Sequence, residues 1–173
     1  MKQASFPALL STFILCAFLW ILFTGSFAVQ ELIVGAIVSA VVASFAARYL
    51  IHDSAFWLLH PKHFFSMLFY CIILFPWQLV KANVDVARRA LSPSLPVNPG
   101  IVKIPVDLES DYGKAMLADS ITLTPGTITM DITEEDGQTY YYVHWIDVKD
   151  TDGVKAGEAI KGVFEKWVRR IWK

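Results

Sequence analysis

Leu117-Ala118-Asp119-Ser120-Ile121-Thr122-Leu123-Thr124-Pro125-Gly126-Thr127-Ile128-Thr129-Met130-Asp131 is the stretch around which the second half of the chain is organised. Pro125-Gly126 is built for a type II turn: proline presets φ at the second position, and glycine accepts a positive φ at the third. Thr122, Thr124, Thr127 and Thr129 flank the turn, favour extended backbone and can bond nearby amides. A short helix-like segment precedes the turn and strand-like alternation follows it, so the stretch reads as the turn at the centre of a small α/β unit.

The neighbouring segments complete that unit. Ile101 to Leu108 alternates Val102, Ile104, Val106 and Leu108 with Lys103 and Asp107, a strand pattern. Ser110 or Asp111 can cap a short helix through about Leu117. Thr127 to Ile132 reads as a second strand, Asp136-Gly137 as a hairpin turn, and Thr139 to Val148 as a third strand. Asp150 to Gly153 breaks the chain. A last helix from about Val154 to Trp172 then carries Ile160, Val163, Phe164, Trp167, Val168 and Ile171 at helical spacing. The order strand, helix, strand, strand, helix predicts a three-stranded sheet with both helices on one face.

Ser120, His144 and Asp119 supply a nucleophile, a base and an acid by residue type. No nucleophile elbow surrounds the serine, and His144 falls within a strand. Asp119-Ser120 is expected to cap or turn the backbone instead. The sequence contains no glycine-rich phosphate loop, dinucleotide fingerprint or Cys/His ligand set, so no catalytic residue, cofactor or metal ligand is assigned.

The first half has a different character. Hydrophobic residues make up 55% of the 173 residues, and the mean hydropathy is +0.46. Between Met1 and Gly100 the acids are Glu31, Asp53 and Asp85. Apolar runs at about 6–27, 31–51 and 63–80 are each of the length that crosses a bilayer. The predicted fold is therefore three transmembrane helices plus a small C-terminal α/β domain. Its parts are a membrane domain over 1–91, a Pro-rich linker over 92–100 and the α/β domain over 101–173. Lys2, the first apolar run and Ser26-Phe27-Ala28 resemble a secretory signal, but the run is long and a second span follows at once.

Small residues repeat every four positions in the second span at Gly35, Ser39, Ala43 and Ala47, with Ala36, Ala40 and Ser44 on the adjoining row. Helices in lipid approach closely through such residues, so this face is a packing surface towards the first helix or another subunit. His52, His60 and His63 near Asp53 match no metal-ligand spacing and read as a polar turn with Phe56 and Trp57 at the interface. Pro76 should kink the third span, and Lys81 to Leu91 extends it as an amphipathic segment with Arg88 and Arg89 towards water or headgroups.

With three spans, Lys2, Arg48 and Lys62 fall on one side, and Lys81, Arg88, Arg89 and Lys103 on the other. Four against three favours a cytoplasmic α/β domain only slightly. No span carries Asp, Glu, Lys or Arg near its middle, whereas ion paths through lipid need such groups. Cys16 and Cys71 both lie in apolar runs and imply no disulfide frame. A net charge of −1 suggests no nucleic-acid partner.

Three motifs carry a family resemblance: Asn98-Pro99-Gly100-Ile101-Val102, then Ala118-Asp119-Ser120-Ile121-Thr122-Leu123-Thr124-Pro125-Gly126-Thr127, then Tyr142-Val143-His144-Trp145-Ile146. They resemble the E subunit of Mrp-type Na+/H+ antiporters, and equally the corresponding small subunit of membrane-bound hydrogenase and related respiratory complexes. The resemblance covers most of the chain. It implies a subunit serving assembly of a multisubunit cation/proton antiporter, embedded in the cell membrane beside other membrane subunits that hold the ion paths. The alternatives are the same subunit in a hydrogenase-type respiratory complex and, from another class, a free-standing membrane-tethered binding domain.

Overall fold

A computed structural model describes residues 6–49 and 60–172. The expected end of the second span at Ile51, and the connector residues His52, Asp53, Phe56 and Trp57, lie outside the described residues. Among the described residues, three helices are long and apolar enough to cross a membrane: Phe6–Thr24, Val29–Arg48 and Pro61–Leu91. A small antiparallel sheet with two helices follows. The chain divides into two compact units, Met1–Pro61 and Lys62–Lys173.

The first unit is a hairpin of α1 (Phe6–Thr24) and α2 (Val29–Tyr49). Gly25 ends α1 at φ +60, its N–H donating to Ile21 O at 2.9 Å, the left-handed stop that glycine supplies without strain. Ser26 Oγ then accepts from Ala28 N at 3.2 Å as α2 begins. Buried hydroxyls bond within their own helices, Thr12 to Ala8 O at 2.8 Å for example, which satisfies them without water.

From Lys62 onward the second unit opens with one long helix in three parts: α3 (Pro61–Phe69), a π turn (Tyr70–Leu74) and α4 (Phe75–Leu91). The predicted disturbance at Pro76 takes the form of that π turn. A regular turn would press the proline ring against the carbonyl four residues back, and the wider loop, closed by Phe75 N–H on Tyr70 O, relieves it.

The sheet has the order β1-β3-β2, all antiparallel, from β1 (Gly100–Val106), β2 (Thr127–Glu135) and β3 (Gln138–Trp145). Asp136 and Gly137, at φ 51 and 77, close the β2–β3 hairpin with the two positive φ values of a type I′ turn. A bulge between Thr129 and Asp131 lets β2 keep register on both sides of Met130. Val102, Ile104, Val106, Tyr141 and Val143 point to one face and are buried there. They meet Leu117 and Ile121 of α5 (Asp111–Leu123) and Phe164, Val168 and Ile171 of α6 (Gly153–Ile171).

The helix α5 runs six residues past the end expected at Leu117. Leu117 and Ile121 bury one face four residues apart, and Ser120 donates to Met116 O at 2.6 Å. That internal bond removes the reason for Asp119-Ser120 to turn the backbone. The cap is Ser110, whose side chain accepts from Gly113 N. In α6 the cap is Asp152, accepting from Val154 N and Lys155 N. The α6 stripe is buried at Phe164, Val168 and Ile171, but Val163 is exposed. Lys161 is buried in its place, paired with Glu165, whose Oε1 also accepts from Asp107 N at 2.8 Å.

Candidate functional site

Gly35, Ser39, Ala43 and Ala47 are all buried in the α1–α2 hairpin. At Gly35 a Cβ would stand 2.5 Å from the Trp20 ring, so the indole occupies the space that glycine leaves. Ala8 and Thr12 bury α1 at the same four-residue spacing. Small residues on one helix, matched to a small-residue row and one large ring on the other, let the backbones approach. The adjoining row of Ala36, Ala40 and Ser44 stays exposed.

The motif residues of the α/β unit gather around the Pro125-Gly126 turn. Gly126 sits at φ +94, and a Cβ there would come within 2.9 Å of Ile146 Cγ2. The Gly126 carbonyl accepts from Ile146 N at 2.8 Å, locking the turn to the end of β3. Thr127 donates its hydroxyl to Ile121 O at 2.7 Å and Thr124 donates to the same carbonyl at 2.8 Å. Thr122 Oγ1 accepts from Thr129 N, and Thr129 Oγ1 donates to Ala118 O. The threonines therefore take up free carbonyls and amides at the C-terminal end of α5 and join it to β2.

Asn98 does similar work at the same end of the sheet, on the β1 side of β3. Its amide N–H donates to Ile146 O at 3.0 Å, its carbonyl accepts from Val148 N at 2.8 Å and its Nδ2 donates to Val148 O at 2.9 Å. Pro99 follows, and Gly100 pairs with Trp145 as β1 begins, close under Val148.

Ser120, Asp119 and His144 are not brought together. Asp119 is exposed on α5, and Ser120 is buried against the helix side of the sheet. His144 follows the buried Val143 in β3, so it points to the opposite face. The Ser120 hydroxyl is already committed: it donates to Met116 O and receives the Tyr70 hydroxyl at 2.5 Å. Among the described residues no group of three His, Cys, Asp or Glu could hold a metal ion. His63 Nδ1 lies 3.0 Å from Ile171 O, and the two cysteines are free thiols.

Sequence reasoning missed the residues that hold the long helix to the α/β layer. Tyr70 reaches Ser120, Phe69 stacks on Trp167 with ring centroids 4.7 Å apart, and Phe75 lies 6.2 Å from Phe164. Arg89, expected to face water or headgroups, instead bonds Asp85, Pro96 O and Asp147. It pins the start of the proline-rich stretch to the end of the sheet. The periodic spacing of Tyr70, Phe75, Ala82, Val86 and Arg89 was the available signal, masked by the apolar residues on every other face. Between α4 and the turn lies a cleft of about 270 Å³ lined by Lys81, Asp85, Thr124, Pro125, Gly126 and Trp145 among others.

A protein family described as "Na+/H+ ion antiporter subunit" matches residues 13–171. The chain belongs to this antiporter subunit family. It is 34% identical over 167 residues to the E subunit of the Na(+)/H(+) antiporter of Bacillus subtilis, covering 96% of this chain and 98% of that one. With the corresponding E subunit of Alkalihalophilus pseudofirmus it shares 31% over 157 residues, 91% and 93% of the two chains. A chain in the structure of the membrane-bound sulfane sulfur reductase, an archaeal respiratory membrane complex, superposes with a TM-score of 0.79 at 44% identity. That match covers 95% of this chain and 99% of that one. The motif residues Asn98, Ser120, Thr122, Thr124, Gly126 and Thr127 of this antiporter-family chain therefore sit in a fold shared with a chain of a respiratory complex, and within it they make structural bonds.

Proposed function

We propose that this subunit is not itself an ion carrier and serves the assembly and stability of a multisubunit cation/proton antiporter in the cell membrane. The observation that carries this reading is the absence of Asp, Glu, Lys and Arg from the apolar centres of all three candidate membrane helices. Glu31 and Arg48 stand only at the ends of α2. Proton and sodium paths need ionisable groups at membrane depth, so the paths belong to partner subunits. The exposed row Ala36, Ala40 and Ser44 supports lateral packing on such a partner. The partners are other membrane subunits and lipid, not nucleic acid, and the α/β domain lies on the cytoplasmic side.

A second reading keeps the subunit and changes the parent complex. The 44% identity to a chain of an archaeal respiratory complex exceeds the 31% and 34% to antiporter subunits, which favours a redox-driven assembly built on the same module. Purification in mild detergent through a tag, with identification of co-purifying proteins, tests both. Many-span partners without redox subunits support the antiporter, and redox subunits support the second reading. A stable chain emerging alone overturns the assembly role.

A further inference from the structure

One face of the third apolar helix touches the α/β domain at intervals from residue 63 to residue 89. Contacts begin at His63, 3.0 Å from Ile171 O. They continue through Phe69 on Trp167 and Tyr70 on Ser120, and end at Arg89, 2.9 Å from Asp147. From residue 63 to residue 89 a helix rises roughly 39 Å, more than the ~30 Å of a bilayer's hydrocarbon core. No membrane-length section of the helix is free of the domain. Were it to cross, α6 alongside it would carry Glu158, Lys161, Glu165, Lys166, Arg169 and Arg170 into lipid, where ionised groups are costly.

The opposite face of the same helix is a continuous apolar stripe of exposed residues: Phe65, Leu68, Ile72, Ile73, Trp77, Val80 and Val84. The π turn inserts one residue into the helical repeat. It thereby keeps this stripe, and the domain-facing row behind it, in phase from α3 through α4. Counting that extra residue, Lys62, Lys81 and Arg88 fall along a single edge of the stripe at whole-turn spacing, all exposed. An apolar stripe edged by cations and Trp77 is the chemistry of a helix lying in a headgroup layer that carries anionic lipid.

We propose that Pro61–Leu91 lies in the plane of the membrane surface, its stripe seated at the headgroup–acyl boundary and its other face holding the α/β domain. The chain then crosses the bilayer twice, through α1 and α2. The basic residues support this independently. With two crossings, Lys2, Arg48, Lys62, Lys81, Arg88, Arg89 and Lys103 all fall on one side, and the loop between α1 and α2 has none. That one-sided distribution is what orientation by positive charge requires on the cytoplasmic side. The inference does not depend on which complex the subunit joins.

The test uses the full chain in membranes of cells that also make its partner subunits, with Cys16→Ala and Cys71→Ala as background. Single cysteines are placed at two exposed sites, Phe27→Cys in the α1–α2 loop and Glu134→Cys in β2. Each is treated with a membrane-impermeant maleimide in right-side-out cells and in inverted vesicles, on variants shown by co-purification to assemble. Two crossings place the sites on opposite faces, so each variant labels in a different preparation. Labelling of both in the same preparation overturns the proposal. A nitroxide at Ile72→Cys reads the surface beneath the helix. Access to oxygen, exclusion of aqueous nickel complex and a shallow depth support a lipid surface. A depth at the bilayer centre, or shielding from oxygen by a protein neighbour, overturns it.

Discussion

Ser120 and Tyr70 show what a single buried hydroxyl contributes here. Ser120→Ala leaves the Tyr70 hydroxyl enclosed without its 2.5 Å acceptor, a cost of about 1–3 kcal/mol. Tyr70→Phe added to it should recover most of that loss, because no polar group is then stranded. Thermal unfolding of the purified complex measures both, while transport by assembled complex should be unchanged in Ser120→Ala. Complete loss of transport with normal assembly would count against the structural role assigned to this serine. Glycine positions separate just as sharply. Gly126→Ala combines φ +94 with a clash against Ile146 and should destabilise the domain by about 1–3 kcal/mol. Gly137→Ala, at φ +77 with nothing within 4 Å, meets the backbone strain alone and should cost less. Hydrogen exchange of the β3 amides in the two variants gives the comparison.

At the scale of elements, the α1–α2 hairpin rests on one steric match. Gly35→Leu drives a side chain into the Trp20 ring and should abolish recovery of the subunit in the complex, with partial rescue by Trp20→Ala. Ala40→Leu, on the exposed row, should leave the hairpin intact and weaken only the hold on a neighbouring subunit. Cross-linking between α1 and α2 distinguishes hairpin failure from partner loss, and equal recovery of both variants would refute the division of labour between the two rows. In α6, Lys161 and Glu165 form a nearly buried pair. Lys161→Ala strands the carboxylate and should cost up to about 3 kcal/mol, whereas Lys161→Met with Glu165→Gln removes the charge on both sides and should cost less. Denaturant midpoints of the assembled complex report the difference.

For the whole molecule, Tyr141 sets an alkaline limit. Burial, helped by the nearby negative charge of Glu165, pushes its phenol well above the ordinary tyrosine value. The folded state thus holds the proton after the unfolded chain has released it. This contribution is fully present below about pH 10 and is lost as pH rises through the folded value. Unfolding midpoints should fall as pH rises above about 10 towards the folded value, and Tyr141→Phe should flatten that fall. An equally steep fall in the variant would place the alkaline sensitivity elsewhere.

The sequence by itself determined the apolar segments, the strand and helix order, the hairpin turn at Asp136-Gly137 and the Pro125-Gly126 turn. Each of these depends on residues within a few positions of one another. Local pattern also revealed the small-residue row at Gly35, Ser39, Ala43 and Ala47, though not that Trp20 fills the space beside it. Only the tertiary structure decided that α5 continues to Leu123, that Ser120 and His144 lie on opposite sides of the sheet, and that Arg89 turns inward to Asp147. It also decided that the third apolar helix has two different faces. Hydropathy averages around a helix and cannot separate a side chain facing lipid from one packed on a protein layer fifty or a hundred residues away.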